Sequence, residues 1–118
     1  ETRYIITYIE PEGLNRAALG LNIAFEKSRL EAAQRSRDLG TSAITGKIFL
    51  VQGQGDKPGF LLLHPVYDKN APLSTVEERR RALLGWVYSP FVAASFLEGL
   101  TRSQGHMLNL KIYDRAEE

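Results

Sequence analysis

The chain has 118 residues, a length typical of one domain with a single hydrophobic core. Its 15 basic and 14 acidic residues leave a net charge of +1, which lacks the clustered positive charge of a nucleic-acid-binding surface. Cysteine is absent, so disulfides and thiolate metal sites are excluded. No apolar run reaches the ~18–20 residues that a membrane-spanning helix needs, and no signal-peptide pattern follows Glu1. We therefore expect a piece of a larger protein, with no nucleic-acid partner.

The first quarter of the chain predicts two strands. Arg3–Ile9 is rich in β-branched and aromatic residues and ends at the turn signal of Glu10–Gly13. A short helical turn over Leu14–Ala18 is expected to lead into a second strand, Leu19–Ile23. Asn22 lies among the apolar residues of that strand, where its amide needs hydrogen-bond partners or an opening to face.

A helix is predicted over Ser28–Leu39. Ser28 and Glu31 fit a capping box, and Gly40 follows as a stop signal in the left-handed conformation. The apolar side of this helix is narrow and consists of Leu30, Ala32, Ala33 and Leu39, while Arg29, Arg35, Arg37 and Asp38 are expected to face outward. Such a helix can lie close to a sheet.

The centre of the chain, Gly40–Tyr67, predicts a strand followed by a hairpin. Ile48–Gln52 and Phe60–Tyr67 are apolar runs that should pair antiparallel across the glycine-rich loop Gly53–Gly59. Both faces of the second run are apolar, whereas a half-exposed strand alternates with polar residues. We therefore expect both faces of the sheet to be covered, one of them by the helices and the other by a segment outside this chain.

The last part of the chain predicts a short helix, a strand, a longer helix and a final strand. Ser74 and Glu77 fit a capping box before a charged run that we interpret as a solvated helix face. Ser89 and Pro90 fit the start of the longer helix. The expected bounds are a loop over Asp68–Ser74, the charged run Glu77–Arg81, a strand over Leu83–Tyr88, a helix ending near Arg102 and a strand over Met107–Tyr113. This order predicts an α+β fold, in which helices flank an antiparallel sheet of about five strands.

The chemistry of the side chains argues against an enzyme. His64 and His106 lie in different elements without a metal-binding spacing, so we interpret them as core or rim residues and expect no metal. The glycines of the hairpin loop do not precede a helix, and Glu10 and Glu12 on a turn form no positioned acid–base pair. We expect no catalytic residue and no cofactor, which leaves a small hydrolase as a remote alternative.

What remains is a binding pocket made of the sheet and the first long helix. Its available polar groups are Asn22, Thr45, Gln52 and the backbone around Ile44, in otherwise apolar walls, as small-molecule sites usually have. Tyr8 is a further candidate wall residue. Each polar residue has an equally simple structural interpretation, in which it only satisfies neighbouring backbone groups. A cavity plugged by Tyr8 or Phe49 would favour the alternative function, a dimerisation or protein-interaction module without a ligand.

The order and spacing of several short motifs resemble the CHASE domain, the extracytoplasmic sensor of bacterial receptors and of plant cytokinin-receptor histidine kinases. The similarity extends from about Tyr4 to Tyr113. The motifs that carry it are Tyr8–Pro11, Leu19–Asn22, Arg37–Gly40, Ala43–Gly46, Leu50–Gln52, Gly59–Phe60, Pro65–Tyr67 and Gly85–Phe91.

The resemblance implies an architecture and a location. The sheet would be PAS-like, with residues 1–89 as the membrane-distal ligand-binding part and residues 90–118 leading into a membrane-proximal part. The chain would lack the stalk helix that covers one face of the sheet in this family. The parent would be a membrane-anchored, homodimeric receptor with a periplasmic or extracellular sensor and a cytoplasmic output such as a histidine kinase or a diguanylate cyclase.

The resemblance also implies ligand-binding positions. In the plant receptors an aspartate on the second strand and the main chain of an apolar residue in the strand after the helix hold the adenine edge of the hormone. Asn22 and Ile44 match these positions, and Leu63 matches a further wall residue. An amide offers both a donor and an acceptor where a carboxylate only accepts, so Asn22 selects a different pattern of polar atoms, in an adenine-type or another small ligand.

Overall fold

The computed structural model describes residues 3–51 and 56–103, which form one antiparallel sheet with helices beside it. In chain order, the helices are α1 (Glu12–Asn15), α2 (Lys27–Leu39), α3 (Val76–Ala82) and α4 (Ala93–Ser103). The strands are β1 (Ala43–Ile44), β2 (Ile48–Val51), β3 (Asp56–Tyr67) and β4 (Leu83–Val92). The predicted α+β class is confirmed, with four sheet strands in the described part of the chain. The predicted strand Met107–Tyr113 and His106 lie outside the described residues.

Strand β3 is at the centre of the sheet. It pairs with β1 and β2 along one edge and with β4 along the other, and every pair is antiparallel. Thr45, between β1 and β2, preserves the ladder where the edge strand is interrupted. Its backbone N–H donates to the Leu61 carbonyl at 2.9 Å, and its Oγ1 accepts from the Leu61 N–H at 2.9 Å.

The predicted hairpin is confirmed, but its second strand begins earlier than expected. Ile48 lies opposite Gly59 in the register, so residues 56–59 belong to β3 and not to the loop. Gly59 is buried between the neighbouring strands, where a Cβ atom would collide with the carbonyl oxygen of Phe91. Gly59 is therefore needed because two strands approach each other closely at this position. The sequence alone predicted it as a turn residue, since glycine is common in both situations.

The two predicted N-terminal strands pair with each other but do not join the sheet. The Ile6 N–H donates to the Leu21 carbonyl at 3.0 Å and the Ile23 N–H to the Tyr4 carbonyl at 2.8 Å. The second segment ends early, because Asn22 Oδ1 accepts from the N–H of Ala24 at 3.1 Å and caps a 3₁₀ turn over Ile23–Phe25.

Helix α2 begins one residue before the predicted start and uses a different cap. The carboxylate of Glu26 accepts from the N–H groups of Ser28 and Arg29, at 3.0 and 2.9 Å. The predicted capping box of Ser28 is wrong, because its hydroxyl accepts instead from the Gly46 N–H at 3.0 Å and holds the β1–β2 connection. The C-terminal stop is confirmed, since Gly40 has φ of 69°.

Small residues bring α2 onto the sheet. Ala32, Ala33 and Ser36 are buried there, while Leu39, predicted for this side, is exposed. The indole Nε1–H of Trp86 on β4 donates to Ser36 Oγ at 2.9 Å and to the Ala33 carbonyl at 3.0 Å. The small side chains let the indole reach the helix backbone, so one aromatic residue ties α2 to the far strand.

Helix α3 holds the C-terminal end of α2. Its capping box is formed by Thr75 and Glu78, one residue later than predicted. The guanidinium of Arg80 binds both carboxylate oxygens of Asp38, at 2.9 and 3.0 Å, and Arg79 donates to the Asp38 backbone carbonyl at 2.7 Å. Hydrogen bonds from Arg80 and then Arg37 hold the pKa of the Asp38 carboxyl well below its usual range. The charged run Glu77–Arg81 is therefore partly solvated, as predicted, and it also binds the end of α2 through Arg79 and Arg80.

Strand β4 is longer than predicted, and α4 starts later. Ser89 and Pro90, expected to begin a helix, lie opposite Leu62 and Leu61 in the sheet. The rings of Phe60 and Phe91 stack across the two strands at 5.1 Å, and Phe96 of α4 packs edge-on against both. This three-ring cluster stabilises the strand conformation at Ser89 and Pro90, where the sequence predicted that a helix begins.

The two faces of the sheet differ in burial. One face, with Leu61 and Leu63, packs against α2 and the N-terminal segment, and Leu63 is fully buried. The other face carries the three-ring cluster at one end but is otherwise open within the described residues. Its apolar side chains Ile44, Phe49, Val66 and Val87 are 38–58 % exposed. The predicted cover of this second face is not supplied by the described part of the chain.

Candidate functional site

A large hollow of the described structure lies between the extended N-terminal segment, residues 3–11, and strand β4. Its volume is about 860 Å³, which is within the range of small-molecule sites. Leu63 forms its floor from β3, and Trp86 and Tyr88 line it from β4. Tyr4 packs against Trp86 with ring centroids 4.6 Å apart. The hollow is therefore bounded by two extended backbone segments and several aromatic rings.

A smaller cavity of about 50 Å³ adjoins this hollow at the beginning of α2. The two share wall residues, which are Ile6, Ile9, Asn15, Ile23, Tyr88 and Pro90. The remaining wall of the small cavity is apolar, with Leu50 and Leu61 from the sheet, except for Arg29 from α2. The two cavities are therefore neighbours, and we call the wide one the outer part and the narrow one the inner part of the site.

Two residues that line the inner part each have a buried polar atom without a hydrogen-bond partner among the described residues. These atoms are the Nε of Arg29 and the phenol oxygen of Tyr88. Another part of the Arg29 guanidinium, Nη2, donates to the Phe49 carbonyl at 3.0 Å and so fixes the side chain against the sheet edge. Burial raises the pKa of the Tyr88 phenol, and the positive charge of Arg29 partly opposes this rise. Tyr88 is therefore a neutral hydroxyl near neutral pH.

The structure brings two of the predicted site residues to the hollow. Tyr8 and Leu63 both line it. Tyr8 is 76 % exposed and Phe49 lies on the opposite, open face of the sheet, so neither ring plugs the space.

Asn22 lies beside the hollow in a structural position. Its Oδ1 accepts from the N–H groups of Tyr4 and Ala24, at 2.9 and 3.1 Å. This amide oxygen joins the two N-terminal segments that form one wall of the hollow. A ligand-binding role for Asn22 stays a prediction.

The remaining predicted residues do not converge on the hollow. The side chain of Ile44 lies on the open face of the sheet, and its carbonyl accepts from Arg35 Nη2 at 2.8 Å. Thr45 is buried in the sheet ladder described above. Gln52 lies outside the described residues. Binding roles for these three residues also stay predictions.

Three wall residues were not among the sequence candidates. Arg29 was expected to face outward, yet it lines the inner cavity and its Nε is buried. Trp86 and Tyr88 lie in a segment that the sequence predicted only as a strand, and in the structure they alternate with exposed residues on β4. The signal that could have found Arg29 is its position in the first turn of α2, next to the hairpin strand that its guanidinium reaches.

His64 lies in the central strand β3, opposite Val87, with its side chain exposed on the open face. Its Nδ1 is 2.9 Å from the hydroxyl of Ser42, and both side chains are exposed. Within residues 3–51 and 56–103, no group of three or more acidic or histidine side chains is placed to hold a metal ion.

An α+β domain with a hollow lined by aromatic side chains has the features of a ligand-binding domain. The family model of the CHASE domain matches residues 1–118, the whole chain. The chain therefore belongs to the CHASE domain family. A comparison with curated proteins found no matching relative.

CHASE domains are extracytoplasmic sensor domains of signalling receptors and are not catalytic. This membership makes the chain a sensor domain and agrees with the resemblance in the sequence. In the part of the chain that the structure describes, none of the helices has the length and apolar character required to cross a bilayer.

Proposed function

We propose that this CHASE domain senses a small molecule that binds in the hollow between residues 3–11 and β4. The observation that supports this most is the hollow itself, with about 860 Å³ between walls that carry aromatic, aliphatic and polar side chains. Tyr8 and Leu63 are the proposed contacts among the sequence candidates. Asn22 would contribute through its amide nitrogen, since its oxygen already accepts two backbone N–H groups.

The placement of the hollow suggests how occupancy becomes a signal. The N-terminal segment is held by backbone bonds to residues 20–23 and by the Tyr4–Trp86 contact, and it is not paired with β4. A ligand that contacts both segments would favour one arrangement of the N-terminal segment relative to the sheet. In a PAS-like, homodimeric receptor anchored in the membrane, this shift would reach a cytoplasmic histidine kinase or diguanylate cyclase.

Thermal denaturation of the 118-residue chain with a metabolite library tests the proposal. The library contains neutral, basic and acidic compounds, with adenine-type compounds among the neutral ones. A ligand at about 100 times its dissociation constant adds roughly 2.7 kcal/mol to stability and should raise Tm by several degrees. Leu63→Met, which keeps the volume and apolar character of this lining residue but changes its shape, should alter the shift for a compound that sits in the hollow.

The open sheet face favours one alternative, a dimerisation or protein-interaction module. Apolar surface of this kind often marks a contact with another chain. If no compound raises Tm and the chain forms a dimer that Val87→Asp disrupts, the alternative replaces the sensing proposal.

A further inference from the structure

The hollow runs along the edge of β4 and not only over one of its faces. Successive side chains of a strand point to opposite faces of the sheet, so a cavity over one face is lined by every second residue. Every residue from Leu84 to Pro90 lines this hollow, including Val87, whose side chain belongs to the open face. The hollow therefore lies beside the backbone of β4, on the edge that is not paired with β3.

The pairing of β3 with β4 shows which main-chain groups point to this free edge. Leu61 on β3 directs its N–H and C=O to Thr45, on the side away from β4. Its opposite residue is Pro90, so this pair is not hydrogen-bonded, and such pairs alternate with hydrogen-bonded ones in an antiparallel ladder. The register is uninterrupted over these residues, which gives Tyr88 and Trp86 the same orientation as Pro90. The N–H and C=O groups of Tyr88 and Trp86 therefore point away from β3.

The N-terminal segment has a second free edge. The Tyr4 C=O and the Ile6 N–H bond to residues 20–23, and the Tyr4 N–H donates to the Asn22 side chain. Ile5 lies between them in an antiparallel bridge with Asn22, so its own N–H and C=O point to the opposite side. The hollow is lined by Ile5 and not by residues 20–22. This second edge therefore faces β4 across the hollow.

Two free edges on opposite sides of one hollow suit a single extended chain. Tyr4 and Trp86 contact each other with ring centroids 4.6 Å apart and join the two sides where they pack against the core. Val87 and Ser89 are exposed on the other face, where a chain can enter. The edge of a folded partner cannot enter, because the next strand of that partner would collide with the N-terminal segment.

Resting on the proposed sensing function, we infer that the ligand of this domain is a short peptide, bound in extended conformation as an added strand between Ile5 and β4. Trp86 and Tyr88 provide the main-chain groups of one edge, and Ile5 provides those of the other. The lined part of β4, residues 84–90, extends over roughly 23 Å, and a pentapeptide extends over about 17 Å. Main-chain bonds supply affinity in this mode, and the walls of the hollow select among side chains.

The test uses the 118-residue chain and a set of acetylated, amidated pentapeptides whose three central residues are each Ala, Val, Thr or Ser. Binding is measured by Tm and by isothermal titration calorimetry. Members of this set are expected to bind and to raise Tm by several degrees near saturation. The inference is wrong if none of them binds, or if a crystal structure with a bound pentapeptide places it outside the hollow.

N-methylation of the best pentapeptide tests insertion between two edges. Neighbouring N–H groups of an extended chain point to opposite sides, so methylation at the central residue and, separately, at the next residue each removes a donor to a different edge. Each change is expected to weaken binding about threefold or more. A peptide that keeps its affinity after either change would contradict insertion between the two edges.

A matched pair of variants tests the N-terminal edge. Ile5→Pro removes the N–H that faces the hollow and leaves the bonds of Tyr4 and Ile6 to residues 20–23 available, whereas Ile5→Val keeps the N–H. Peptide affinity should fall about three- to tenfold in Ile5→Pro and stay near that of the parent in Ile5→Val. Equal affinities of the two variants would contradict the inference. If Ile5→Pro does not fold, the methylated peptides decide.

Hydrogen exchange tests whether the edges are free before a peptide binds. The amides of Ile5, Trp86 and Tyr88 should exchange rapidly in the ligand-free chain and become protected when the pentapeptide is bound. Strong protection without peptide would overturn the inference, because another segment of the chain or a second copy would already occupy the edges.

Failure of this inference is distinct from failure of the sensing function. If non-peptide compounds of the metabolite library raise Tm and no pentapeptide binds, the domain remains a sensor of a different ligand class. If neither set binds, the sensing proposal fails as well.

Discussion

Single side chains in this domain replace backbone hydrogen bonds where regular secondary structure stops. Thr45 Oγ1 substitutes for a strand partner between β1 and β2, and the Glu26 carboxylate caps the start of α2. Asn22 does the same for the first two segments of the chain. All three lie close to the hollow or its supporting elements, so they position the wall of the site without needing to touch a ligand.

Asn22→Ala is expected to lower the free energy of unfolding by about 1–2 kcal/mol, because the N–H groups of Tyr4 and Ala24 lose their acceptor. Asn22→Asp keeps an acceptor oxygen and should retain most of the stability. Urea denaturation followed by circular dichroism measures both variants. An alanine variant as stable as the parent would show that the cap contributes nothing.

At the level of secondary-structure elements, the main contact outside the core joins the end of α2 to α3. The last carbonyls of a helix lack partners within it, and here Tyr67 and Arg79 donate to those of Arg37 and Asp38. Arg80 adds a two-point contact to the Asp38 carboxylate. This junction fixes the orientation of α2, whose first turn carries Arg29.

The junction predicts an acid-dependent loss of stability. The folded-state pKa of Asp38 lies below its unfolded value near 4, so its contribution is present above about pH 4 and is lost as the pH falls further. Asp38→Asn should cost about 1–2 kcal/mol at pH 7, and this difference should shrink below pH 4.

Chemical denaturation of the parent and the Asp38→Asn variant between pH 2 and pH 7 measures this dependence. Glu31→Gln is the matched control on the same helix, because its pair with Lys27 is exposed, at 3.7 Å, and should contribute little at any pH. A cost for Asp38→Asn that stays constant down to pH 2 would mean that the ion pairs do not stabilise the fold.

At the scale of the whole molecule, the sheet has a packed face and an open face. The packed face contains the core cluster with Leu61 and Leu63, together with the two cavities. The open face carries Ile44 and Val87, each more than half exposed. A sensor domain with the proposed ligand site on one face and apolar surface on the other could bind a ligand and contact a neighbouring segment independently.

This asymmetry predicts unequal effects of truncating apolar side chains. Leu63→Ala should destabilise the domain by about 2.5–4 kcal/mol, since Leu63 is fully buried. Val87→Thr should change stability by less than about 0.5 kcal/mol, because Val87 is 58 % exposed on the open face. Both are measured by urea denaturation at low protein concentration. A large cost for Val87→Thr would reveal that this face is covered.

Local sequence signals predicted most of the elements but misplaced their ends. The hairpin, α2 with Gly40 as its stop and the existence of α3 followed from patterns of a few residues. The caps were misplaced because several neighbouring residues could cap equally well, and contacts from other elements decided between them. The Ser28 hydroxyl does not cap α2 because it accepts a hydrogen bond from the Gly46 N–H. Ser89 and Pro90 remain in β4, where the neighbouring Phe91 stacks on Phe60.

The sequence by itself determined the α+β class, the family and the absence of thiol chemistry, because composition, period and motif order are properties of the chain. The tertiary structure alone decided which residues meet at the site. Arg29 and Tyr88 are 59 positions apart, and only the packing of α2 across the sheet brings them to one cavity. The burial that leaves their polar atoms unpartnered is a property of the packed molecule, so no local pattern could have shown it.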